Sequence, residues 1–234
     1  MSEGEWQQVA TRPPLDQEKM RREMDEAMER ANTIVLRDAI SGMENPLLET
    51  ALELAGAGAL HGRWGHWSVA EALLYARRKL VGHYAWAIPD ERALVMVGST
   101  GSVVEIGAGG GYWAALLRAR GVEVFAYDPR PGTTSKKVWT DVLIGRTRPV
   151  ERHPGSTLFL CWPEYTSRFA EIALLRHLRS GGTRVAYVGE YEGGCCAEDG
   201  FFELLSEKFE EVESAHIPQF PGLHDYLTIY DRKD

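Results

Sequence analysis

The sequence lacks long hydrophobic runs and has few cysteines. No segment of the 234 residues holds the roughly 18 apolar residues of a membrane-spanning helix, and the first residues, MSEGEWQQVATRPP, carry acids where a secretory signal peptide carries basic charge. The three cysteines are an odd number and include the adjacent pair Cys195–Cys196, so they predict no disulfide framework. We therefore expect no membrane partner and a location in the reducing cytoplasm.

Basic charge is also in short supply. The chain has 26 lysines and arginines against 34 aspartates and glutamates, a formal net charge of -8. Its basic runs, such as RRKL and SKK, are short, so the surface would repel nucleic-acid phosphates. His61 and His66 have no matching set of cysteines or carboxylates, which predicts no metal site. The partner that this composition favours is a small-molecule substrate.

The chain changes character near Val103. Before this residue, apolar positions recur at helical spacing in the charged segment Leu15–Ile40, in PLLETALELAGAGAL, which begins at Pro46, and in two segments whose N-caps are Ser68 and Asp90. The run EKMRREMDEAMER predicts a solvated helix face and a candidate homodimer surface. We predict an N-terminal helical extension or lid over residues 1–88 and a ligand-binding domain over residues 89–234.

Beyond Val103, short β-branched runs alternate with helical segments. The predicted strands are Val103–Ile106, Val122–Tyr127, Thr157–Trp162, Thr183–Gly189, Glu211–Ile217 and Tyr226–Tyr230. The predicted helices are Tyr112–Arg120, Thr166–Arg179 and Gly200–Phe209, with Gly121 and the pair Gly181–Gly182 at C-caps that need positive φ. This alternation is typical of a doubly wound α/β fold with a parallel sheet, and the final helix–strand–strand suggests an antiparallel hairpin at the sheet edge.

The stretch SVVEIGAGGGYWAALLRARGVEVFAYDP, residues 102–129, carries the clearest ligand signal. Gly107, Gly109 and Gly111 lead from a strand into a helix, so N–H groups at the helix N-terminus can reach a polar ligand. Glu105 precedes these glycines, and a carboxylate there suits an ammonium better than the pyrophosphate of a nicotinamide dinucleotide. Asp128 ends the next strand, where an acid accepts hydrogen bonds from ribose hydroxyls. A ligand with a ribose and a cationic amino-acid tail fits this pattern best.

These motifs, VVEIGAGGG and VFAYD, resemble the first two motifs of class I S-adenosylmethionine-dependent methyltransferases. The resemblance runs from Ile88 to the C-terminus and includes TLFLCWPEY, TRVAYVGE and the final helix–strand–strand. It implies a Rossmann-like sheet of seven strands, one of them antiparallel, with S-adenosylmethionine as the cofactor across the carboxyl ends of the first strands. The cofactor-binding residues that it implies are Glu105, Gly107, Ala108, Gly109, Gly111, Asp128, Pro129, Trp86 and Trp162.

The segment CWPEY, residues 161–165, follows the strand that begins at Thr157. In the branch of the family that methylates exocyclic amines this place reads Asp/Asn-Pro-Pro-aromatic, and here only the first proline and the aromatic match. The missing Asp or Asn removes the carbonyl that polarises an amine, which argues against methylation of nucleic-acid bases. Two interpretations of Trp162 and Tyr165 stay open. They wall a sulfonium site, where an aromatic face favours a cation by roughly 0.5–2 kcal/mol, or they are core and rim aromatics.

A second aromatic-rich segment, HGRWGHWSVAEALLYARRKLVGHYAWAIPDE, covers residues 61–91. Its aromatic side chains either dock the N-terminal helices or close over the site, and Tyr84 and Trp86 are the preferred site residues because they immediately precede the first core helix. Glu190 and Tyr191 follow the strand Thr183–Gly189 and are expected at the same crevice. The candidate catalytic residues are Tyr165 and Tyr84, as hydrogen-bond partners of the nucleophile, and Glu190 and Glu164, as proton acceptors.

Three hypotheses about function follow. The first is a methyltransferase that acts on a small molecule in secondary metabolism. The second is a cyclase that resembles azetidine-2-carboxylate synthase, in which the amine of the cofactor attacks its own γ-carbon and methylthioadenosine leaves. The third is a non-enzymatic binding module, which the intact Glu105, glycines and Asp128 disfavour. The aromatic lid and the lack of a clear general base favour the cyclase, whereas the prevalence of methyl transfer in this fold favours the methyltransferase.

Overall fold

The structure is a computed structural model that describes residues 16–60, 67–133 and 136–234. Its α-helices are α1 Gln17–Thr33, α2 Pro46–Leu60, α3 Trp67–His83, α4 Glu91–Ser99, α5 Tyr112–Ala119, α6 Phe169–Arg179 and α7 Asp199–Lys208, with a 3₁₀ helix at Arg148–Arg152. Its strands are β1 Val103–Ile106, β2 Val124–Asp128, β3 Leu143–Ile144, β4 Thr157–Cys161, β5 Arg184–Gly189, β6 Phe209–His216 and β7 Tyr226–Arg232. No helix in these ranges has the length and apolar character needed to cross a bilayer.

The seven strands form one sheet in the order β3-β2-β1-β4-β5-β7-β6. The pairs from β3 to β5 are all parallel, and β7 runs antiparallel to both β5 and β6. This arrangement confirms the predicted α/β fold and the antiparallel hairpin near the sheet edge. Because β1 lies between β2 and β4, the order of strands reverses beside β1, and a crevice opens there at the carboxyl ends of the strands.

The two faces of the sheet carry separate hydrophobic clusters. On one face, helices α2 to α5 pack on alternate strand residues, and this cluster includes Leu47, Leu73, Leu80, Leu94, Val103, Leu116, Phe159 and Ile229. On the other face, α6 and α7 pack on the intervening residues, and this cluster includes Val104, Leu158, Leu160, Leu174, Val185 and Phe201. The N-terminal helices therefore share one core with the sheet. Glu105 has the same strand parity as Val103, which places its carboxylate on the face that they cover.

Several predicted boundaries are corrected. Helix α1 ends at Thr33 and Ile34 is extended (φ -56°, ψ 135°), so the helix does not reach Ile40, consistent with the low helix preference of the β-branched run at residues 33–35. Helix α3 begins at Trp67, which places Ser68 in its first turn and not at the N-cap. Strand β3, of two exposed residues, is too short to leave a sequence pattern. Phe209 begins β6 instead of ending a helix, because it pairs with Arg232.

Three of the predicted helix caps are confirmed, and Gly182, like Ser68, is corrected. Asp90 caps α4, with Oδ1 accepting from the Ala93 N–H at 2.8 Å. Gly121 and Gly181 have positive φ at the ends of α5 and α6. Gly182 does not have positive φ; it is small for a different reason, since a side chain there would collide with the buried His177 ring.

Candidate functional site

A cavity of about 810 Å³ opens at the carboxyl ends of β1, β2 and β4. Its walls come from the glycine bend, the end of β2, the residues after β4 and the last turn of α3. Its volume lies in the range of small-molecule sites. The predicted site residues that line it are Tyr84, Trp86, Glu105, Gly107, Ala108, Gly109, Asp128, Pro129, Trp162, Glu164 and Tyr165.

The glycine bend lines this cavity from Gly107 to Gly110, whereas Gly111, which was also predicted to bind the cofactor, does not line it. Gly107, Gly109 and Gly111 all have positive φ, and the Gly107 and Ala108 N–H groups donate to the Tyr127 carbonyl at 2.8 and 3.0 Å. Gly111 is the N-cap of α5 and supplies no side-chain hydrogen bond to the first turn. Gly111 therefore provides no cap to the first N–H groups of α5, and one of them, the Ala114 N–H, acts on the Glu105 carboxyl as a hydrogen-bond donor.

Glu105 is the most unusual residue of the site. Its side chain lines the cavity but is only 2% exposed, and its Oε2 atom has no hydrogen-bond partner among the described residues. Burial raises the pKa of this carboxyl to about 8; the charge of Arg118 acts in the opposite direction and that of Asp128 in the same direction. A backbone hydrogen bond from Ala114 also acts against the rise in pKa, so the carboxylate is partly satisfied. Its second oxygen is buried without a partner in the described part of the chain, which gives the site the character of a receptor for a cationic group.

Trp113, in the first turn of α5, offers a hydrogen-bond donor where Glu105 offers an acceptor. It also lines the cavity, and its Nε1 donor is buried without an acceptor in the described part of the chain. A ligand that carries both an ammonium and a carboxylate would satisfy Glu105 and Trp113 together. Sequence reasoning missed Trp113, because an indole in an amphipathic helix has the pattern of a core residue.

Asp128 is held in one orientation by the backbone around it. Its Oδ2 accepts from the Gly109 N–H at 2.9 Å, and its Oδ1 accepts from the Arg130 N–H at 2.7 Å. Each carboxylate oxygen can accept a second hydrogen bond, so this arrangement leaves capacity for ribose hydroxyls. Asp128 thus links the glycine bend to the end of β2.

Two tryptophans form an aromatic wall beyond β4. Trp162 and Trp86 stack with ring centroids 5.5 Å apart and planes inclined by 16°. Trp162 has a left-handed backbone (φ 51°), which is strained for so bulky a residue. Tyr165 is half exposed and Glu164 is exposed at the cavity mouth, and the two residues therefore have access to an incoming substrate.

The structure corrects the role predicted for the Tyr84 hydroxyl. Tyr84 lines the cavity, yet its hydroxyl oxygen accepts from the Arg37 N–H at 2.9 Å and its ring stacks on Trp139. This hydroxyl fixes the segment after α1 and is not available to a nucleophile in this arrangement.

Glu190 does not line the cavity, which corrects the prediction that it reaches the sulfonium region. Its two carboxylate oxygens accept from the Cys195 and His224 N–H groups at 2.8 and 3.0 Å. Glu190 therefore closes the turn that carries Cys195 to the cavity wall, and Tyr191 beside it does not line the cavity either. Both partners lie outside the strand that precedes Glu190, so no local pattern could have revealed them.

The cysteines near the cavity are not activated. Burial raises the pKa of Cys161 well above its ordinary value and that of Cys195 to about 12. Neither thiol has the character of a nucleophile. The aromatic and histidine residues at positions 61–66 lie outside the described residues.

The cavity residues that sequence reasoning missed include Arg130, Thr133 and Arg146, which follow β2 and β3, and Phe169, which lies against Gly107. Arg130 could have been found from its place directly after Pro129. Arg146 could not, because it follows the two-residue strand β3.

Comparisons with known proteins give a likeness of fold. No family model matches the chain, and no curated protein matches it. Among solved structures, magnesium protoporphyrin IX methyltransferase (ChlM) from Synechocystis PCC 6803 is 10% identical, with 84% of this chain and 100% of that chain covered and a TM-score of 0.46. The N-methyltransferase NodS from Bradyrhizobium japonicum WM9 is 14% identical, with 62% and 96% covered and a TM-score of 0.42.

A third structure, an uncharacterized protein from Listeria monocytogenes serotype 4b, is 10% identical, with 62% of this chain and 66% of that chain covered and a TM-score of 0.44. At these identities the likeness concerns the fold alone. The sheet has seven strands, of which β7 runs antiparallel to its neighbours, as the resemblance to class I S-adenosylmethionine-dependent methyltransferases implies.

Proposed function

We propose that the protein binds S-adenosylmethionine and transfers its methyl group to a small molecule. The observation that carries this proposal is the buried Glu105 carboxyl, which lines the cavity with one oxygen unpartnered. Such a group calls for a cation, and the amino-acid tail of S-adenosylmethionine supplies an ammonium. Asp128 and the Trp86–Trp162 stack, which line the same cavity, supply partners for a ribose and a sulfonium.

Each part of the cavity has a role in this proposal. Glu105 accepts from the ammonium, and the Trp113 indole N–H donates to the carboxylate. Asp128 accepts from the ribose hydroxyls, and Trp162 lies along the sulfonium. The bound cofactor supplies an electrophilic methyl carbon, so the chain has to hold the acceptor in line with it, and orientation alone accounts for several kcal/mol of such catalysis.

The acceptor would enter past Tyr165 and Glu164. Both are exposed at the mouth, where Tyr165 can hydrogen-bond the nucleophile and Glu164 can accept its proton. Glu105 and Asp128, the other carboxylates that line the cavity in the described ranges, are committed to the cofactor in this proposal. A small acceptor suits the cavity volume, and dimerisation through α1 stays a prediction.

One observation favours the cyclase as a second candidate. A carboxyl with a pKa of about 8 beside the ligand's ammonium can take a proton from it. The freed amine would then attack the γ-carbon, forming a C–N bond as the C–S bond breaks, and methylthioadenosine would leave with the electron pair of that C–S bond. The aromatic wall would hold the methionyl chain folded for this step.

Product analysis tests the proposed function. The protein is incubated with S-adenosylmethionine alone and then with candidate small-molecule acceptors, and products are identified by mass spectrometry against an enzyme-free control. We expect S-adenosylhomocysteine only when an acceptor is present. Protein-dependent methylthioadenosine without an acceptor would overturn methyl transfer in favour of the cyclase. Calorimetric binding of NAD with no response to S-adenosylhomocysteine would contradict both candidates.

Removing the Asp128 carboxylate is expected to weaken the binding of S-adenosylhomocysteine by about 1–3 kcal/mol, because Asp128→Ala leaves ribose hydroxyls unpaired. Asp128→Asn keeps an acceptor and is expected to lose less. Calorimetry on the three proteins checks this order. An unchanged dissociation constant for Asp128→Ala would show that the ribose lies elsewhere.

A further inference from the structure

Behind the aromatic wall lies a carboxylate that the proposed function does not use. Asp225 is wholly buried just before β7, and its Oδ1 accepts from the Trp162 indole Nε1–H at 2.8 Å. Its Oδ2 has no hydrogen-bond partner in the described part of the chain. The Gln219 side chain donates to the Asp225 carbonyl at 3.1 Å, so the segment that carries Asp225 is itself held in place.

The hydrogen bond between Trp162 and Asp225 joins two segments that are distant in sequence, and Trp162 is itself strained. Trp162 and Asp225 are 63 positions apart, and Trp162 has a left-handed backbone (φ 51°), which is strained for so bulky a residue. The Trp162 N–H also donates to the Val188 carbonyl at 2.8 Å. Trp162 is therefore held at its backbone, at its indole Nε1 and by its stack on Trp86.

One positively charged and one negatively charged side chain lie near the Trp86–Trp162 wall. The Arg77 guanidinium lies 5.9 Å from the Trp86 ring centroid and 5.8 Å from those of Trp162 and Phe220. The positive charge of Arg77 repels a second cation that binds to the same wall. Asp225 supplies the compensating negative charge, and no salt bridge within 4 Å joins it to Arg77 in the described residues, so its charge is not consumed by a direct pair.

We propose that Asp225 is the positioning residue of the aromatic wall: it orients the Trp162 indole and, through its negative charge, makes that wall favour a sulfonium cation over a neutral thioether. A carboxylate that accepts from an indole N–H increases the electron density of the ring, which strengthens its attraction for a cation at its face. This inference rests on the proposed function. It adds a residue that touches no ligand.

Burial raises the pKa of the Asp225 carboxyl to about 7, with the Trp162 hydrogen bond acting in the opposite direction, the charge of Glu190 in the same direction and that of Arg77 in the opposite direction. The test is therefore carried out at pH 8, where the carboxylate is ionised. It measures dissociation constants for S-adenosylmethionine, a cation at sulfur, and S-adenosylhomocysteine, a neutral thioether, by calorimetry on the full chain.

Asp225→Asn keeps an acceptor for the indole and removes the charge. We expect the affinity for S-adenosylmethionine to fall roughly three- to tenfold, the range set by a cation–aromatic contact, while that for S-adenosylhomocysteine changes by less than about twofold. Asp225→Ala is expected to weaken both ligands. The matched control is Asp231→Asn, which removes a carboxylate on the same stretch of chain that pairs with Arg184 away from the cavity, and it should leave the ratio of the two affinities unchanged.

The orientation of the Trp162 indole is measured without any ligand. In protein labelled with ¹⁵N-tryptophan, the Trp162 indole N–H, assigned through Trp162→Phe, should exchange slowly in wild type and Asp225→Asn and quickly in Asp225→Ala. An equal affinity ratio in wild type and Asp225→Asn would overturn the charge role, and slow exchange in Asp225→Ala would overturn the orienting role. If wild type binds neither ligand, the proposed function fails and the sulfonium preference fails with it, while the exchange data still decide the orienting role.

Discussion

Replacing Glu105 with glutamine is expected to weaken S-adenosylmethionine binding by about 2–5 kcal/mol, at least thirtyfold, because one partner of a buried charge pair is lost. The same change should raise the free energy of unfolding at pH 8. The pKa of the folded carboxyl is about 8 against an ordinary 4.5, so folding takes up a proton between these values. Stability is therefore lost as pH rises through this window, and glutamine removes the loss.

The affinity of the wild-type protein should also depend on pH. Below pH 8 the carboxyl holds a proton that must leave before it can pair with the ammonium, so affinity should rise from pH 6 towards pH 8, by up to about tenfold per pH unit. The charged or titratable groups that act on this carboxyl are Arg118, Asp128 and Cys161.

Methylthioadenosine is the matched control ligand, because it has the ribose and thioether but no ammonium. Its binding should not follow this pH dependence and should be equal in wild type and Glu105→Gln. Calorimetry at several pH values measures both ligands, and urea denaturation measures the stability. Equal losses for the two ligands in Glu105→Gln would show that Glu105 supports the cavity in general and does not bind an ammonium.

Gly111→Ala is expected to lower the free energy of unfolding by about 2–4 kcal/mol, the sum of left-handed strain and overpacking. Gly111 has φ 74°, and a Cβ there would lie 2.6 Å from Val142 Cγ2 and 3.0 Å from Thr140 Cγ2. The segment that carries those residues is tied to the bend, since the Trp139 N–H donates to the Gly110 carbonyl at 2.7 Å. The start of α5 would shift, and cofactor affinity should fall with it.

Gly121→Ala measures the left-handed backbone strain without the overpacking. Gly121 has φ 79°, close to that of Gly111, but a Cβ there meets nothing within 4 Å. Its loss should be about 1–2 kcal/mol, from backbone strain alone, with cofactor affinity unchanged. Urea denaturation of both variants gives the difference. Equal losses at the two positions would mean that Val142 and Thr140 move aside freely and that the bend is not closely packed.

Much of the fold could be predicted from the sequence, because strands and bends depend on residues that are close together in the chain. Alternating apolar residues define the strands, and the glycines at 107, 109 and 111 need positive φ wherever the chain goes afterwards. The positions of Glu105 and Asp128 could be predicted in the same way, because each position is fixed by the strand that carries it. The ends of α1 and α3 were predicted less well, since helix ends depend on contacts that a periodic pattern does not contain.

The sequence by itself therefore determined six of the seven strands, the bend and two acids on adjacent strands. Only the tertiary structure decided which polar groups are free and which are already engaged. Glu190 is occupied by the Cys195 and His224 N–H groups, and the Tyr84 hydroxyl is occupied by Arg37. Trp162 acquires its support from Asp225 on a distant segment. The physical reason is that strand and bend geometry is fixed within a few residues, whereas the partner of a buried polar group is chosen by packing between segments far apart in the chain.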